Sequence, residues 1–313
     1  MTETSGTVNT NPLENRIGFV GLGNMGGRMT RCIVDAGRVV VGYDPRTEII
    51  EQSGATAASS PAAVAEQSDV VLLSLPDSHV VEAVVLGPGG LSEGLRSGQI
   101  VVDLSTSSPV STRQLNARLA ERGVEYLDAG ISGGAAAAEK GALTLMVGGR
   151  TEVLEEVRPV LDLIADHIFF CGPSGAGHTA KVLNNFLNAV SLAATSEVMV
   201  AAKKDGLDLA VFLDVLNVSS GVNFATLNRF PKIIKGDYLK GGLSNALMAK
   251  DLSLYLDLLG SLGIASLNAA GPLASFGLAL QLGYADQISN TVVDAIGDVS
   301  GGVRLFENHG GSE

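Results

Sequence analysis

Apolar and polar positions along this chain follow two rhythms, and the change comes near residue 175. Before it, short continuous apolar runs recur: IGFVG ending at Gly21, VVVGYD ending at Asp44, DVVLLSL ending at Leu75, and IVVDL ending at Leu104. Unbroken apolar runs of this length suit strands covered on both faces, as in parallel sheets. Helical segments separate them. One spans about 25–36 and stops at Gly37; a second runs from Pro61, behind Ser60, to residue 67. A third, opened by Asp77 or Ser78, reaches residue 85, and a fourth runs from Pro109 to about 122. Residues 143–147 and 167–171 read as edge strands, and 172–177 as a hinge. Strands alternating with helices predict an α/β fold built on a doubly wound, mostly parallel sheet.

From Gly175 to Gly206 the rhythm is that of one long helix, with no proline and no glycine after Gly177 until Gly206. Roughly 28 interior positions at 1.5 Å each would span about 40 Å. Most of its circumference is apolar, so it should be buried on several sides as a spine joining two packed units. One stripe is polar: Lys181, Asn184, Asn188, Ser191 and Thr195 recur at spacings of three and four, with Asn185 beside them. A solvent face is the plain explanation. A single lysine among amides, with no Glu/Lys ladder, points instead to a site. Beyond it the chain reads as all-helical: 207–218 amphipathic, 221–242 a looser loop, then helices at 245–262, 271–281 and 286–296. The expected organisation is a disordered arm (1–14), a nucleotide-binding domain (15–174), an all-α domain (175–306) and a loose tail.

The first apolar run leads into GLGNMGGRM, where Gly21, Gly23 and Gly26 fit G-x-G-x-x-G. Alone the pattern is weak. Here a strand precedes it, a helix follows, and a second strand ends at Asp44, 18 positions after Gly26. That context is the fingerprint of a Rossmann-type dinucleotide site. The first glycine allows the tight turn and the second lets backbone approach a pyrophosphate. The third lets the helix pack closely, with its N-terminal amides toward the phosphates. Asp44 would accept hydrogen bonds from the ribose hydroxyls and repel a 2′-phosphate, which favours NAD. Arg46 could pair with that phosphate, so NADP stays possible. Leu75, Pro76 and Thr106 follow the next two strands, where such folds bind ligands. Ser132, Gly133 and Gly134 leave backbone N–H groups unshielded, a nest for a carboxylate or else an ordinary turn.

Composition narrows the picture. The 313 residues suggest two domains, and 46% hydrophobic content without Trp implies an aliphatic core. A net charge of −12 argues against general affinity for nucleic acid or anionic membranes. Cys32 and Cys171 lie in apolar contexts and read as buried, reduced thiols of a cytoplasmic protein. Residues 1–14 lack the features of a secretory signal. No histidine pairs with cysteine or carboxylate at metal-ligand spacing, so no metal is expected.

Six motifs in order, GLGNMG, DLSTSSP, DAGISGG, GALTLMVGG, GHTAKVLNN and AKDLSL, resemble the β-hydroxyacid dehydrogenase family over about residues 16–300. The resemblance implies hydride transfer between a nicotinamide and the CH–OH of a small β-hydroxy acid, or the reverse reduction of a semialdehyde. It puts Asn24 and Met25 at the pyrophosphate, with Leu22 also at the cofactor, Asp44 at the ribose, Leu75 and Thr106 on the path to the nicotinamide, and Lys250 near the cofactor. Ser132, Gly133 and Gly134 would grip the substrate acid, with Asn184 and Asn188 nearby. Lys181 matches the family's catalytic lysine and Asn185 its helical partner. A homodimer or homotetramer is expected. Gly130 and Ile131 replace the usual Pro and Val before the Ser-Gly-Gly, and alanines follow it, which leaves the substrate open. Imine reduction on the same fold, or a non-catalytic nucleotide-binding module, are the alternatives. His178 is a second candidate acid.

Overall fold

The structure is a computed structural model that describes residues 16–239 and 242–306. The expected arm, the tail after Phe306 and Lys240 lie outside the described residues. The chain divides into two compact units that part between His178 and Thr179.

The first unit holds one eight-stranded sheet: β1 (Ile17–Val20), β2 (Val40–Tyr43), β3 (Thr56–Ala57), β4 (Val70–Leu73), β5 (Ile100–Asp103), β6 (Glu125–Ser132), β7 (Leu143–Gly148) and β8 (Ala165–Gly172). Its order is β3-β2-β1-β4-β5-β6-β7-β8. β1 pairs in parallel with both β2 and β4, in register from Ile17 opposite Val40 and Val70. Every residue of β1, β4 and β5 is buried, which is why these runs show no alternation. Two apolar layers cover the faces, one around Phe19, Met29, Leu145 and Leu154, the other around Val71, Leu73, Val85 and Leu119.

The helix starts follow their caps. Ser60 Oγ accepts from Ala63 N at 3.1 Å with Pro61 next in line. Asp77 Oδ1 accepts from Val80 N at 2.9 Å, so Asp77, not Ser78, opens the Ser78–Leu86 helix. Two sequence expectations need correction here. β7 is not an edge strand, because it lies antiparallel to β6 on one side and parallel to β8 on the other. Cys171 is exposed, not buried, because it sits on β8, which is the true edge.

The spine helix runs from Ala176 to Lys204, 29 residues. Its first turn is tied down within the sheet unit. The Asp128 carboxylate, fully buried on β6, accepts from Gly175 N at 2.7 Å and His178 N at 2.8 Å. It thereby satisfies two backbone donors at the helix start that have no partner within the helix.

The second unit is helical among the described residues, apart from an isolated bridge between Ser244 and Ile288. Its core gathers Phe186, Leu192, Met199, Phe230, Met248 and Phe276. The helix Asn245–Leu262 starts on Ser244 and ends at Gly263, whose φ of 67° suits glycine. The expected loop at 221–242 instead holds two short helices, Phe224–Asn228 and Phe230–Ile233. Asn223 Oδ1 accepts from Ala225 N at 2.8 Å while Thr226 Oγ1 accepts from Asn223 N at 3.0 Å, a reciprocal cap with threonine in the usual glutamate position. The last helix begins later than expected, at Val292, after a 3₁₀ turn at Ser289–Thr291. No described helix is long and apolar enough to cross a membrane.

Asp128→Ala would leave two buried N–H groups without an acceptor. Thermal and urea unfolding should show a loss of about 2–4 kcal/mol; an unchanged midpoint would mean that the helix start does not rely on the cap.

Candidate active site

The sequence-predicted nucleotide positions of the sheet unit follow the carboxyl ends of strands; Lys250, also expected near the cofactor, lies instead on the helix Asn245–Leu262 of the second unit. Gly21–Gly26 follows β1, Asp44 follows β2, Leu75 and Pro76 follow β4, Thr106 follows β5, and Ser132 closes β6. The strand order reverses between β1 and β4, where such sheets open a ligand crevice. The loops there are cross-linked: Ser105 Oγ accepts from Leu75 N at 2.9 Å, and Ser78 Oγ from Ser108 N at 2.7 Å.

The three glycines differ as the motif requires. A Cβ on Gly21, at φ +88°, would sit 2.3 Å from Ser74 O, and one on Gly26 would sit 1.9 Å from Gly21 O. These two are fixed by the close turn and the close packing of the helix Gly26–Asp35. A Cβ on Gly23 would meet only the flexible Arg46 head at 3.4 Å. The backbone at Gly23 is therefore open to approach, which fits a pyrophosphate. Asn24 is held by Arg28, whose Nη1 donates to its Oδ1 and O at 2.6 Å. Met25 is partly buried against the core layer of Phe19.

Asp44 is buried, and its Oδ2 accepts from Leu22 N at 3.0 Å. Its Oδ1 pairs with Arg46 Nε at 3.2 Å. Arg46 is thus committed to the carboxylate that the sequence set against it as a rival. At the end of β6, Gly133 and Gly134 have φ of +122° and +68°. A Cβ on Gly134, at the start of the helix Gly134–Ala138, would meet nothing within 4 Å, so the positive φ and not crowding favours glycine there.

In the helical unit, Lys181 and Asn185 are buried, at 8% and 4% exposure. Asn185 Nδ2 donates to Asp251 Oδ2, and Lys250 Nζ pairs with Asp251 Oδ1 at 3.0 Å. Burial pushes the Lys181 amine down from 10.5 to about 8; the Asp251 charge opposes this and Lys250 assists it. The outcome is an amine that exchanges its proton near neutrality beside an amide locked by a carboxylate. Asp251 was not singled out by sequence reasoning. Its only signal was its place next to Lys250, because an acid 66 positions from Asn185 is joined to it by folding alone.

The polar stripe does not act as one unit. Asn188 accepts from Arg229 Nη2 at 3.0 Å, and Thr195 Oγ1 accepts from Asn223 Nδ2 at 3.1 Å. Asn184 is exposed and stands apart from the Lys181–Asn185–Asp251 group. His178 is fully buried, its Nδ1 2.7 Å from Thr112 Oγ1 and its Nε2 3.3 Å from Asp103 O. These contacts make it a structural histidine of the sheet unit. Among the described residues no His/Cys/Asp/Glu group is arranged to hold a metal ion.

Comparison with known proteins agrees with this architecture. The family described as the NAD binding domain of 6-phosphogluconate dehydrogenase matches residues 16–172. The one described as NAD-binding of NADP-dependent 3-hydroxyisobutyrate dehydrogenase matches residues 175–295. The NAD-dependent L-serine dehydrogenase of Pseudomonas aeruginosa is 36% identical over 282 residues, 87% of this chain and 94% of that protein. The 2-(hydroxymethyl)glutarate dehydrogenase of Eubacterium barkeri is 36% identical over 245 residues, 77% of this chain and 81% of its own length. A solved structure of Mycobacterium tuberculosis 3-hydroxyisobutyrate dehydrogenase with L-serine superposes with a TM-score of 0.82 at 31% identity, covering 91% of this chain and 99% of that one. The chain belongs to the β-hydroxyacid dehydrogenase family and is an NAD(P)-dependent oxidoreductase.

Holding Lys181 at a pKa of about 8 has a stability consequence. The lowered value means the folded protein bears a penalty for the charged amine that is complete below pH 8 and fades as pH rises toward 10.5, where the unfolded lysine also loses its proton. Lys181→Met should therefore raise stability at pH 7 by up to about 3 kcal/mol, at 1.36 kcal/mol per pKa unit. In urea titrations at pH 7 and pH 10, the advantage should shrink at the higher pH. A less stable Lys181→Met at pH 7 would refute the burial penalty.

Proposed function

We propose that this enzyme interconverts a small β-hydroxy acid and its semialdehyde, with Lys181 as the general acid and base. The observation that carries the reading is the burial of the Lys181 amine one helical turn from Asn185, which is fixed by Asp251; among the described residues no carboxylate bonds the amine, and burial lowers its pKa to about 8. A base is most effective when its pKa lies near the working pH.

Gly21, Leu22, Gly23, Asn24, Met25 and Gly26 would hold the pyrophosphate, Asp44 with Arg46 the ribose, and Leu75, Pro76 and Thr106 the approach to the nicotinamide. When bound, the cofactor supplies the hydride acceptor or donor. Ser132, Gly133 and Gly134 grip the substrate carboxylate through backbone N–H groups. Lys181, neutral, takes the hydroxyl proton as the carbinol hydrogen departs with its electron pair and the C=O bond forms. In the reverse direction its ammonium returns the proton to the aldehyde oxygen. Asn185, fixed by Asp251, keeps the amine and the reacting oxygen in line. Lys250, paired with Asp251 at 3.0 Å, contributes to the cofactor end.

The relatives named above act on serine, 2-(hydroxymethyl)glutarate and 3-hydroxyisobutyrate, each a CH₂OH group beside the carbon that bears a carboxylate. A hydroxymethyl acid is accordingly the proposed substrate class, NAD the preferred cofactor, the cytoplasm the location, and a homodimer or homotetramer the assembly. Imine reduction has no comparable support, since relatives at 34–36% identity are named for hydroxy-acid oxidation.

With hydroxymethyl acids as substrates, Lys181→Ala should lower kcat about 10²- to 10⁴-fold with little change in NAD affinity. Lys181→Arg should fail nearly as badly, because a guanidinium stays protonated. Asn185→Ala should cost less. In the wild type, kcat/KM for oxidation should rise with pH through a value near 8 and that for reduction should fall through it. Near-normal turnover in Lys181→Ala would remove the lysine from the mechanism.

A separate measurement tests the cofactor. kcat/KM should be higher with NAD than with NADP, and Asp44→Ser should narrow the gap. A wild type that prefers NADP would show that Arg46, not Asp44, governs the choice.

A further inference from the structure

Arg229 lies between the short helices Phe224–Asn228 and Phe230–Ile233, with its guanidinium partly buried in the helical unit. Its hydrogen-bond partners are all neutral. Nη2 donates to Asn188 Oδ1 at 3.0 Å; Nη1 donates to Asn290 Oδ1 at 2.6 Å and to Ser289 Oγ at 3.4 Å. The Phe224 ring centre lies 5.8 Å from the guanidinium carbon. Arg16, Arg158 and Arg304, by contrast, each pair with a carboxylate. Burial pulls the Arg229 pKa down from 12.5 to about 10, and no acid among the described residues offsets it. A cation withdrawn from water without an anion is costly, and two of its five N–H donors, on Nε and Nη2, meet no acceptor among the described residues.

The position of this cation is informative. Asn188, which it grips, stands seven residues after Lys181 on the spine helix. Seven residues are close to two turns, so the two side chains share a face and are separated by roughly 10 Å along the axis. That distance suits a short diacid with a hydrogen bond of about 3 Å at each end. The fork of a guanidinium held by two amides is shaped to receive a carboxylate in two bonds.

We propose that Arg229 binds a second acid group on the substrate, so that the enzyme selects hydroxymethyl acids whose side arm ends in a carboxylate. This rests on Lys181 working at the carbinol. The bland alternative is a structural clamp, in which Arg229 merely ties the spine helix to the segments around Phe224 and Ser289.

Steady-state kinetics with NAD, comparing 2-(hydroxymethyl)glutarate with 3-hydroxyisobutyrate, separates them. The wild type should favour the diacid by about tenfold or more in kcat/KM. Arg229→Gln should lower kcat/KM for the diacid about a hundredfold, mainly through KM, and leave the monoacid within about threefold. Arg229→Lys, which keeps the charge and loses the fork, should fall between. An equal loss on both substrates, or a wild type that favours the monoacid, overturns the proposal. Should Arg229→Gln fail to fold, wild-type inhibition decides: glutarate should compete with 3-hydroxyisobutyrate at least about tenfold more tightly than butyrate, and equal inhibition overturns it. Should the enzyme oxidise neither acid, the reading of Lys181 fails. Thermal shift of the NAD-loaded protein by glutarate, clearly reduced in Arg229→Lys, would then still support the anion site, and no difference would overturn it.

Discussion

An ammonium group held out of water is the constraint around which the helical unit is arranged. Left alone, a buried lysine would give up its proton or draw in solvent. Here the Asp251 charge favours the protonated amine, while Lys250, paired with that carboxylate, disfavours it. Asn185 completes the arrangement by donating to Asp251. The spine helix must then be long, well anchored and largely apolar, because only a rigid, dry support keeps the amine where its environment sets its pKa. The same burial that lowers the pKa of the amine also costs folding energy.

Much of this was legible in the sequence, for a specific reason. Gly21, Gly23, Gly26 and Asp44 act through spacing within one strand–turn–helix–strand unit. Lys181 and Asn185 are one turn apart on one helix. Local geometry, which sequence encodes directly, is sufficient for both. Asp251 depends on pairing across 66 positions, and Arg229 depends on where two short helices begin. Those helices were hidden because Thr226 stands where a capping glutamate would be read. The placement of β7 inside the sheet, and with it the exposure of Cys171, followed from strand order, a long-range property on which hydrophobic periodicity is silent.

Arg46 shows how a local reading can pick out two residues and miss their relation. The sequence set Asp44 and Arg46 as competitors for the nucleotide, one repelling a 2′-phosphate and the other attracting it. In the structure they are an ion pair, with Asp44 also fixed by Leu22 N. A phosphate arriving there would have to draw Arg46 away from a partner it already has, and a ribose would not.

The spine helix also divides its duties along its length. Asn185 takes its partner, and Lys181 its neighbouring charges, from the Asn245–Leu262 helix, whereas Asn188 and Thr195 take their partners from the segment that runs from Asn223 to Arg229. The turn that carries Lys181 and Asn185 and the turns beyond it are therefore supported by different stretches of chain. Changes in the short segment can alter what is held beyond Asn188 without loosening the lysine. Such a separation lets one ancestral scaffold diversify its substrates by local drift while its proton chemistry stays inherited and intact.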